Sequence, residues 1–310
     1  MTLILTAVTK HTVVQVSDRR LTSGGSVRSE NAIKGMCVVC TDSAFAIGYT
    51  GLATVYGGLS TDEWLFNHLS TFRVDDKSVV DIANEIRDHA TRTFEMLRRT
   101  RDTIVLRTTF VLAGFRFDQP FVLTITNMED QDGKLFRSAA DEFRVYASLP
   151  KPRTVRRKSD LWAHGAEQAL DELKSALRRV RERSFSSDDD RAAQMLVGLV
   201  RSASKCDKAQ TIGQDCLSVV VDPRVQFPFR CLDHSVAPCS SQSAFHLLTP
   251  TIAIKNISLD QVGNSTQSTV LGDAMIIPAR PGSGASASPD GSLEFNVSFK
   301  MFLPGHPAVQ

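Results

Sequence analysis

No apolar run in these 310 residues approaches the length of about 20 that a membrane-spanning helix needs. Neither sign of charge dominates: 36 Lys and Arg balance 34 Asp and Glu, for a formal net charge of +2. Nothing in that balance points to nucleic acid. Cysteine is sparse, with six residues at Cys37, Cys40, Cys206, Cys216, Cys231 and Cys239. The Cys37-x-x-Cys40 text has no second copy, and three-residue spacing on a strand sends the two side chains to opposite faces. Cys231, His234 and Cys239 offer three ligands where a structural zinc takes about four. The expectation is therefore buried free thiols, no metal site, and a reducing, cytoplasmic compartment. The apolar start, Leu3 to Val8, lacks a basic segment before it and is too short for a secretory signal core. Length and ordinary apolar content agree with a soluble globular protein that buries a full core.

What the chain does have is a spaced polar trio at its start. Thr2 follows the initiator methionine, and Asp18 and Lys34 come after it at two equal intervals of sixteen residues. A small second residue favours removal of Met1, which would make Thr2 the first residue of the mature chain. An N-terminal threonine carries both a nucleophile and a base, since its α-amine can take the proton of its own hydroxyl. That amine titrates near pH 8, roughly, so a useful fraction is basic near neutrality. No pro-segment stands before Thr2, so methionine removal alone is expected to expose it.

Local patterning brings the trio together. Thr2 to Val8 reads as a strand, Lys10-His11 as a polar turn, and Thr12 to Val16 as a second strand, which makes a hairpin. Asp18 ends the returning strand and so lies beside Thr2. Ser23-Gly24-Gly25 marks a turn. A third strand, roughly Ala32 to Val39, carries Lys34 near its start. The bland alternatives are a solvated lysine and a turn-forming aspartate.

These segments resemble the proteasome β-subunits and the bacterial proteasome-like peptidases, of the N-terminal-nucleophile (Ntn) hydrolase superfamily. The matching residues are Thr2, the run Ser17-Asp18-Arg19-Arg20-Leu21-Thr22-Ser23-Gly24, Ile33-Lys34, and Ala46 to Ala53. They cover roughly the first seventy residues, and beyond them only the order of elements agrees. The resemblance implies that Thr2 is nucleophile and, through its amine, general base. Lys34 would lower the hydroxyl pKa, and Asp18 would hold Lys34. Gly51 would supply the oxyanion N–H, with Gly48 as competitor because aligning the glycines takes a small gap. Thr22 would pair its backbone with an extended substrate. Leu21, Ala32, Met36 and Ala53 would line an apolar pocket for the side chain before the cleaved bond. Asp207 and Thr211 fall where the family keeps a supporting aspartate and serine near the amine, although their spacing differs.

The rest of the chain reads as α+β. A helix is expected to start just after Gly51 and run through Thr61 to Thr71. A second spans Ser78 to Arg99, with Val79, Ile82, Ile86, Ala90, Phe94 and Leu97 at helical spacing and Ser78 as cap. Strands follow at Thr103 to Phe117, Gln119 to Met128 and Phe143 to Leu149. A helix pair covers Ala163 to Arg183 and Asp188 to Ser204, and Val219 to Val221 closes a final strand. That order is the one expected of a four-layer α-β-β-α sandwich, the proteasome-type fold. The core domain is expected over residues 2–229, with a β-rich C-terminal extension over 230–310.

The extension is weakly patterned. Gln261 to Thr269 is polar, and Ala279 to Gly291 reads as a linker. Leu271 to Ile277 and Leu293 to Phe302 read as strands that pack on their own domain or on a neighbouring subunit. Two basic runs, Lys151 to Lys158 and Arg178 to Arg183, read as an exposed loop and a helix C-terminus. Asp233-His234-Ser235 spells a triad, but three adjacent residues cannot converge as one.

The expected function is a threonine-type endopeptidase in a proteasome-like, self-compartmentalising homo-oligomer. Its substrate would be a peptide or unfolded protein, with an ATP-dependent unfoldase needed only for folded ones. No cofactor, nucleic acid or membrane is expected. The rivals are an amidase or acylase acting on small molecules, a catalytically silent structural subunit, and a self-assembling scaffold.

Overall fold

The protein is described here from a computed structural model. It describes residues 2–8, 11–23, 26–56, 58–72, 74–131, 134–148, 160–164, 189–207, 209–224, 228–234, 242–248, 252–259, 270–276, 286–287 and 293–294. The chain is α+β. In order, its main elements are β1 (Ile4–Val8), β2 (Val13–Asp18), β3 (Leu21–Ser23), β4 (Ser26–Ser29), β5 (Gly35–Val39) and β6 (Ser43–Thr50). Helices α1 (Thr61–Phe72) and α2 (Val79–Leu97) follow, then β7 (Thr109–Arg116), β8 (Gln119–Thr126), β9 (Arg144–Ser148) and β10 (Asp160–His164). Helix α3 (Asp189–Cys206) precedes β11 (Cys216–Val221), β12 (Phe229–His234), β13 (Gln242–Leu248), β14 (Ile252–Leu259) and β15 (Val270–Ile276).

The strands form a five-stranded sheet, ordered β10-β1-β2-β11-β12, and an eight-stranded sheet, ordered β15-β14-β13-β5-β6-β7-β8-β9. Period-two alternation sorts their side chains into separate cores. On β1, Ile4 and Val8 join Val13, Cys37, Val39, Val111, Leu217 and Val219 between the sheets. Leu3, Leu5 and Ala7 point the other way, onto Ala193, Leu196, Val197 and Val200 of α3. Met36 and Val38 of β5 meet Trp64, Leu65, Ile82, Ile86 and Phe94 of α1 and α2. Every residue of β1, β2, β5, β6 and β11 is buried, as strands covered on both faces require.

Helix α2 shows why its sequence folds this way. Ser78 is a capping box: its hydroxyl accepts from Asp81 N, and the Asp81 carboxylate accepts from Ser78 N. Such a cap is worth about 1 kcal/mol. Full burial of Ile82, Ile86 and Phe94 contributes about 1.5–3 kcal/mol each, so packing rather than capping holds the helix.

Several boundaries differ from expectation, each for a local reason. The strand expected from Ala32 begins at Gly35. Ala32 N–H is given to Arg19 O, and Arg19 donates to the carbonyls of Ala32 and Asn31, which leaves those groups none for a ladder. The first helix begins at Thr61, not just after Gly51. Residues 52–56 and 58–60 lie outside the helix instead, with Val55 N bonded to Leu59 O and Gly58 at φ +78°. Residues 103–108 lie outside β7 because Thr108 N–H goes to the Asn127 side chain.

The expected helix from Ala163 to Arg183 is contradicted at its start. Ala163 and His164 belong to strand β10, which pairs antiparallel with β1, Ala163 opposite Leu5. Residues 165–183 lie outside the described residues, as do the run Lys151 to Lys158, Gln261 to Thr269, Ser235 and Cys239. Within the expected linker Ala279 to Gly291, Ser286–Ala287 pairs with Leu293–Glu294. The remainder of the strand expected to Phe302 also lies outside.

The boundary expected at residues 229 and 230 falls inside β12, an edge strand of the five-stranded sheet. Beyond it, β13 joins the other sheet by pairing parallel to β5, with Leu247 opposite Cys37. The extension thus continues a sheet of this same chain.

Candidate active site

The site is built where three chain segments meet at one end of the five-stranded sheet. The β1–β2 hairpin sets Ile4 opposite Ser17, which brings Thr2 and Asp18 level. Asp18 N–H bonds to Leu3 O at 3.3 Å, and Leu3 N–H donates back to Asp18 Oδ1 at 2.8 Å. Lys34 arrives from the segment leading into β5. Its ammonium donates to Thr2 Oγ1 at 2.6 Å, to Asp18 Oδ2 at 3.2 Å and to the carbonyl of Arg20.

An ammonium has three N–H donors, and Lys34 finds three acceptors. Its side chain and that of Asp18 have 0% exposure. Burial pushes the Lys34 pKa below its ordinary value, while the Asp18 charge and hydrogen bond pull it back up. The charged form satisfies all three acceptors at once. Because Thr2 Oγ1 accepts from Lys34, its own proton is free to leave in another direction.

Asp18 is saturated as an acceptor. Besides Leu3 N–H and Lys34, Oδ2 accepts from Arg20 N–H at 3.1 Å and from Gly213 N–H at 3.1 Å. Gly213 comes from a loop that Asp207 organises. Asp207 accepts from Ala209 N, Thr211 N, Thr211 Oγ1 and Ile212 N. Burial raises its carboxyl pKa, but the Thr211 hydroxyl and the backbone N–H groups outweigh that and hold it below the ordinary range. Among the described residues, the side-chain hydrogen bonds of Asp207 run to its own loop rather than to Thr2. Asp207 and Thr211 reach the trio indirectly, through Gly213.

Thr50 reaches Thr2 from the other sheet, its hydroxyl donating to Thr2 O at 2.6 Å. The next residue is Gly51, at φ +110°, a region that side chains rarely adopt. A Cβ there would stand 2.0 Å from Arg107 O. The Thr108 and Thr61 hydroxyls fix the following turn through Leu52 N and Leu52 O. Gly48 differs, lying inside β6 between Gly35 of β5 and Val111 of β7. Its backbone belongs to the sheet, whereas Gly51 stands just past the strand end.

The residues expected to line a substrate cleft divide. Leu21 and Thr22 sit on the short strand β3, and with Ala53 they are partly exposed. Ala32 is nearly buried, and Met36, 2% exposed, is turned into the core beneath α1 and α2.

Several partners of the site escaped sequence reasoning. Arg19 is fully buried and carries the 31–32 segment toward Lys34. Arg20 pairs with Glu30 at 2.7 Å and donates to Gln210 O, which joins its carbonyl position to the 207–213 loop. Thr50 lies within the Ala46 to Ala53 run, where a lone threonine ending a buried apolar strand is the available signal. Gly213 gave none, since the contact joins residues 195 apart. Elsewhere, His234 bonds the buried Ser218 hydroxyl at 2.8 Å. Cys37 lies between the sheets, whereas Cys40 lies in the helix-side core. Among the described residues, no helix is long and apolar enough to cross a membrane. No protein-family model and no curated protein matches this chain.

Proposed function

We propose that the protein is a threonine-type N-terminal-nucleophile hydrolase of the proteasome-like kind, acting as an endopeptidase. The observation that carries this reading is the 2.6 Å hydrogen bond from the buried Lys34 ammonium to Thr2 Oγ1, backed by Asp18. A fully desolvated cation against a hydroxyl stabilises the alkoxide character that develops during attack.

Removal of Met1 frees the Thr2 amine. That amine takes the hydroxyl proton, and Oγ1 attacks the scissile carbonyl carbon. Gly51 N–H receives the resulting oxyanion, a contribution commonly of about 3 kcal/mol per donor. The protonated amine then gives its proton to the leaving amine, and an ester on Thr2 remains. A water deprotonated by the same amine hydrolyses that ester. Leu21, Thr22 and Ala53, partly exposed beside this centre, suit an extended peptide laid along β3. Ala32 and Met36 would then act from beneath the cleft.

The finer reading of the fold goes with this proposal. Helix-side, inter-sheet and α3-side cores in series support a four-layer α-β-β-α sandwich over residues 2–229, with a β-rich extension over 230–310. A homo-oligomer, an unfolded-protein substrate, an unfoldase partner and a cytoplasmic location follow from the resemblance alone.

The test compares peptide hydrolysis by purified wild type, Thr2→Ser and Thr2→Ala. The serine variant keeps a hydroxyl and is expected to retain activity, while the alanine variant is expected to lose it. Undiminished turnover by Thr2→Ala would remove Thr2 from the mechanism.

A further inference from the structure

Two thiols outside the Thr2 site face each other across the inter-sheet layer. Cys37 sits in the middle of β5, fully buried, in the core between the sheets. Cys231 sits on β12, partly exposed, against the same core. Their Sγ atoms are 3.7 Å apart. The strands belong to different sheets, so nothing in hairpin or ladder register forces this approach.

We infer that Cys37 and Cys231 are a redox-responsive pair that closes to an inter-sheet disulfide when met by a peroxide or a small disulfide. Closure brings the sulfurs from 3.7 Å to a bond of about 2.05 Å. The movement falls to β12, which among the described residues has β11 alone as sheet neighbour, rather than to β5, which is held between β6 and β13. Burial, with the Cys231 contact, pushes the Cys37 thiol well above its ordinary pKa, so Cys37 stays protonated. Cys231, the partly exposed member of the pair, meets the oxidant first.

With a peroxide, the Cys231 thiolate attacks one oxygen and the O–O bond breaks. Cys231 becomes a sulfenic acid, and the second oxygen leaves as water. The Cys37 thiol then gives up its proton as its sulfur attacks the Cys231 sulfur and the S–O bond breaks. The hydroxide leaves with the Cys37 proton as a second water. Two thiols are oxidised and one peroxide is reduced. With oxidised glutathione, Cys231 first forms a mixed disulfide and releases one glutathione thiol. Attack by Cys37 releases the second.

The bond would close a loop of 194 residues and constrain the unfolded chain over most of the core. It would also tie β5, whose leading end carries Lys34, to the strand from which the chain crosses to β13. In a reducing compartment the pair rests as thiols. The inference does not depend on the hydrolase reading.

Native full-length protein is treated with hydrogen peroxide or oxidised glutathione, alkylated, and digested without reduction. The expected product is a peptide pair joining Cys37 to Cys231, lost on reduction and absent from Cys231→Ser. Oxidised wild type should also show a higher urea midpoint than reduced wild type, with no such gap in Cys231→Ser. That variant sits at the partly exposed position, and Cys37→Ala serves as a second control. Three results would overturn the inference: both thiols alkylated after oxidant, Cys231 left as a mixed disulfide or sulfinic acid with Cys37 free, or a cystine through other cysteines.

Discussion

The Lys34 ammonium and the Thr2 hydroxyl meet at 2.6 Å in a setting where the lysine side chain has no solvent exposure. The contact is a hydrogen bond and a desolvated charge at once, so under the proposed mechanism it acts on both stability and reactivity. Asp18→Asn keeps the shape but removes the counter-charge. An unpaired buried ammonium costs about 3–5 kcal/mol, so the urea midpoint should fall steeply and hydrolysis should drop by at least about a hundredfold. Wild-type stability in Asp18→Asn would mean that Lys34 is neutral in the folded protein.

The same burial sets an alkaline limit. Desolvation lowers the Lys34 pKa below 10.5, and the mechanism uses the ammonium. As pH rises through that lowered pKa the cation is lost, so activity should decline on the alkaline side below 10.5. For stability the sign runs oppositely. In that window the unfolded chain holds a proton that the folded chain has released, so this group makes stability rise with pH. A rate profile still climbing at pH 10.5 would contradict the assignment.

Gly51→Ala should be among the more damaging small substitutions. Its φ of +110° disfavours any side chain, and the new methyl would strike Arg107 O at 2.0 Å. Backbone strain of about 1–3 kcal/mol is expected, together with loss of turnover, because the proposed oxyanion donor moves. Gly58→Ala offers a control: φ is +78° with open space around it, so it carries strain without the clash. Equal turnover in the two variants would argue against Gly51 as the donor.

Much of the site is legible in the sequence because it is local. Thr2 and Asp18 stand at the two ends of one short hairpin, and Lys34 follows only sixteen residues later on the segment leading into β5. The Ser78 cap and the apolar face of α2 were readable for the same reason. Gly213, Arg19 and the Arg20–Glu30 pair were not, because their roles depend on which carbonyls and carboxylates the folded chain brings near. The late start of α1 is a similar case, since Arg101 reaches in to bond the carbonyls of Thr54 and Val55. The pairing of β13 with β5 joins segments some two hundred residues apart, and no periodicity encodes such a partner.

Asp207→Ala tests the indirect route into the site. Its carboxylate organises the loop that gives Gly213 N–H to Asp18. Losing it leaves several N–H groups unpartnered, at a cost of about 1–3 kcal/mol. Turnover should fall less than in Asp18→Asn, and the alkaline limb should shift because Asp18 loses a donor. An activity loss as complete as that of Thr2→Ala, without loss of stability, would instead place Asp207 in direct contact with the reacting amine.

A histidine stack on α1 and α2 predicts acid sensitivity. The rings of His68 and His89 lie 3.5 Å apart and nearly parallel, and Trp64 stacks on His89. Burial, then the His68 charge and Arg92, lowers the His89 pKa to about 4. Burial also lowers that of His68, against the opposing pull of Glu85. The folded pKa lies below the unfolded value of 6.5, so the stabilising effect is full above pH 6.5 and is lost as pH falls toward 4. Urea midpoints should decline across that window, and less steeply in His89→Phe, which keeps a ring but cannot take a proton. Parallel slopes would contradict the assignment.

The central claim is tested most directly by the intact mass of the purified protein before and after treatment with a peptide epoxyketone. That reagent bonds to the hydroxyl and the free α-amine of one N-terminal threonine. The account predicts a mass lacking Met1, a single adduct per chain, and no adduct on Thr2→Ala. A chain that has lost Met1 yet takes no adduct, or an adduct that persists on Thr2→Ala, would contradict it.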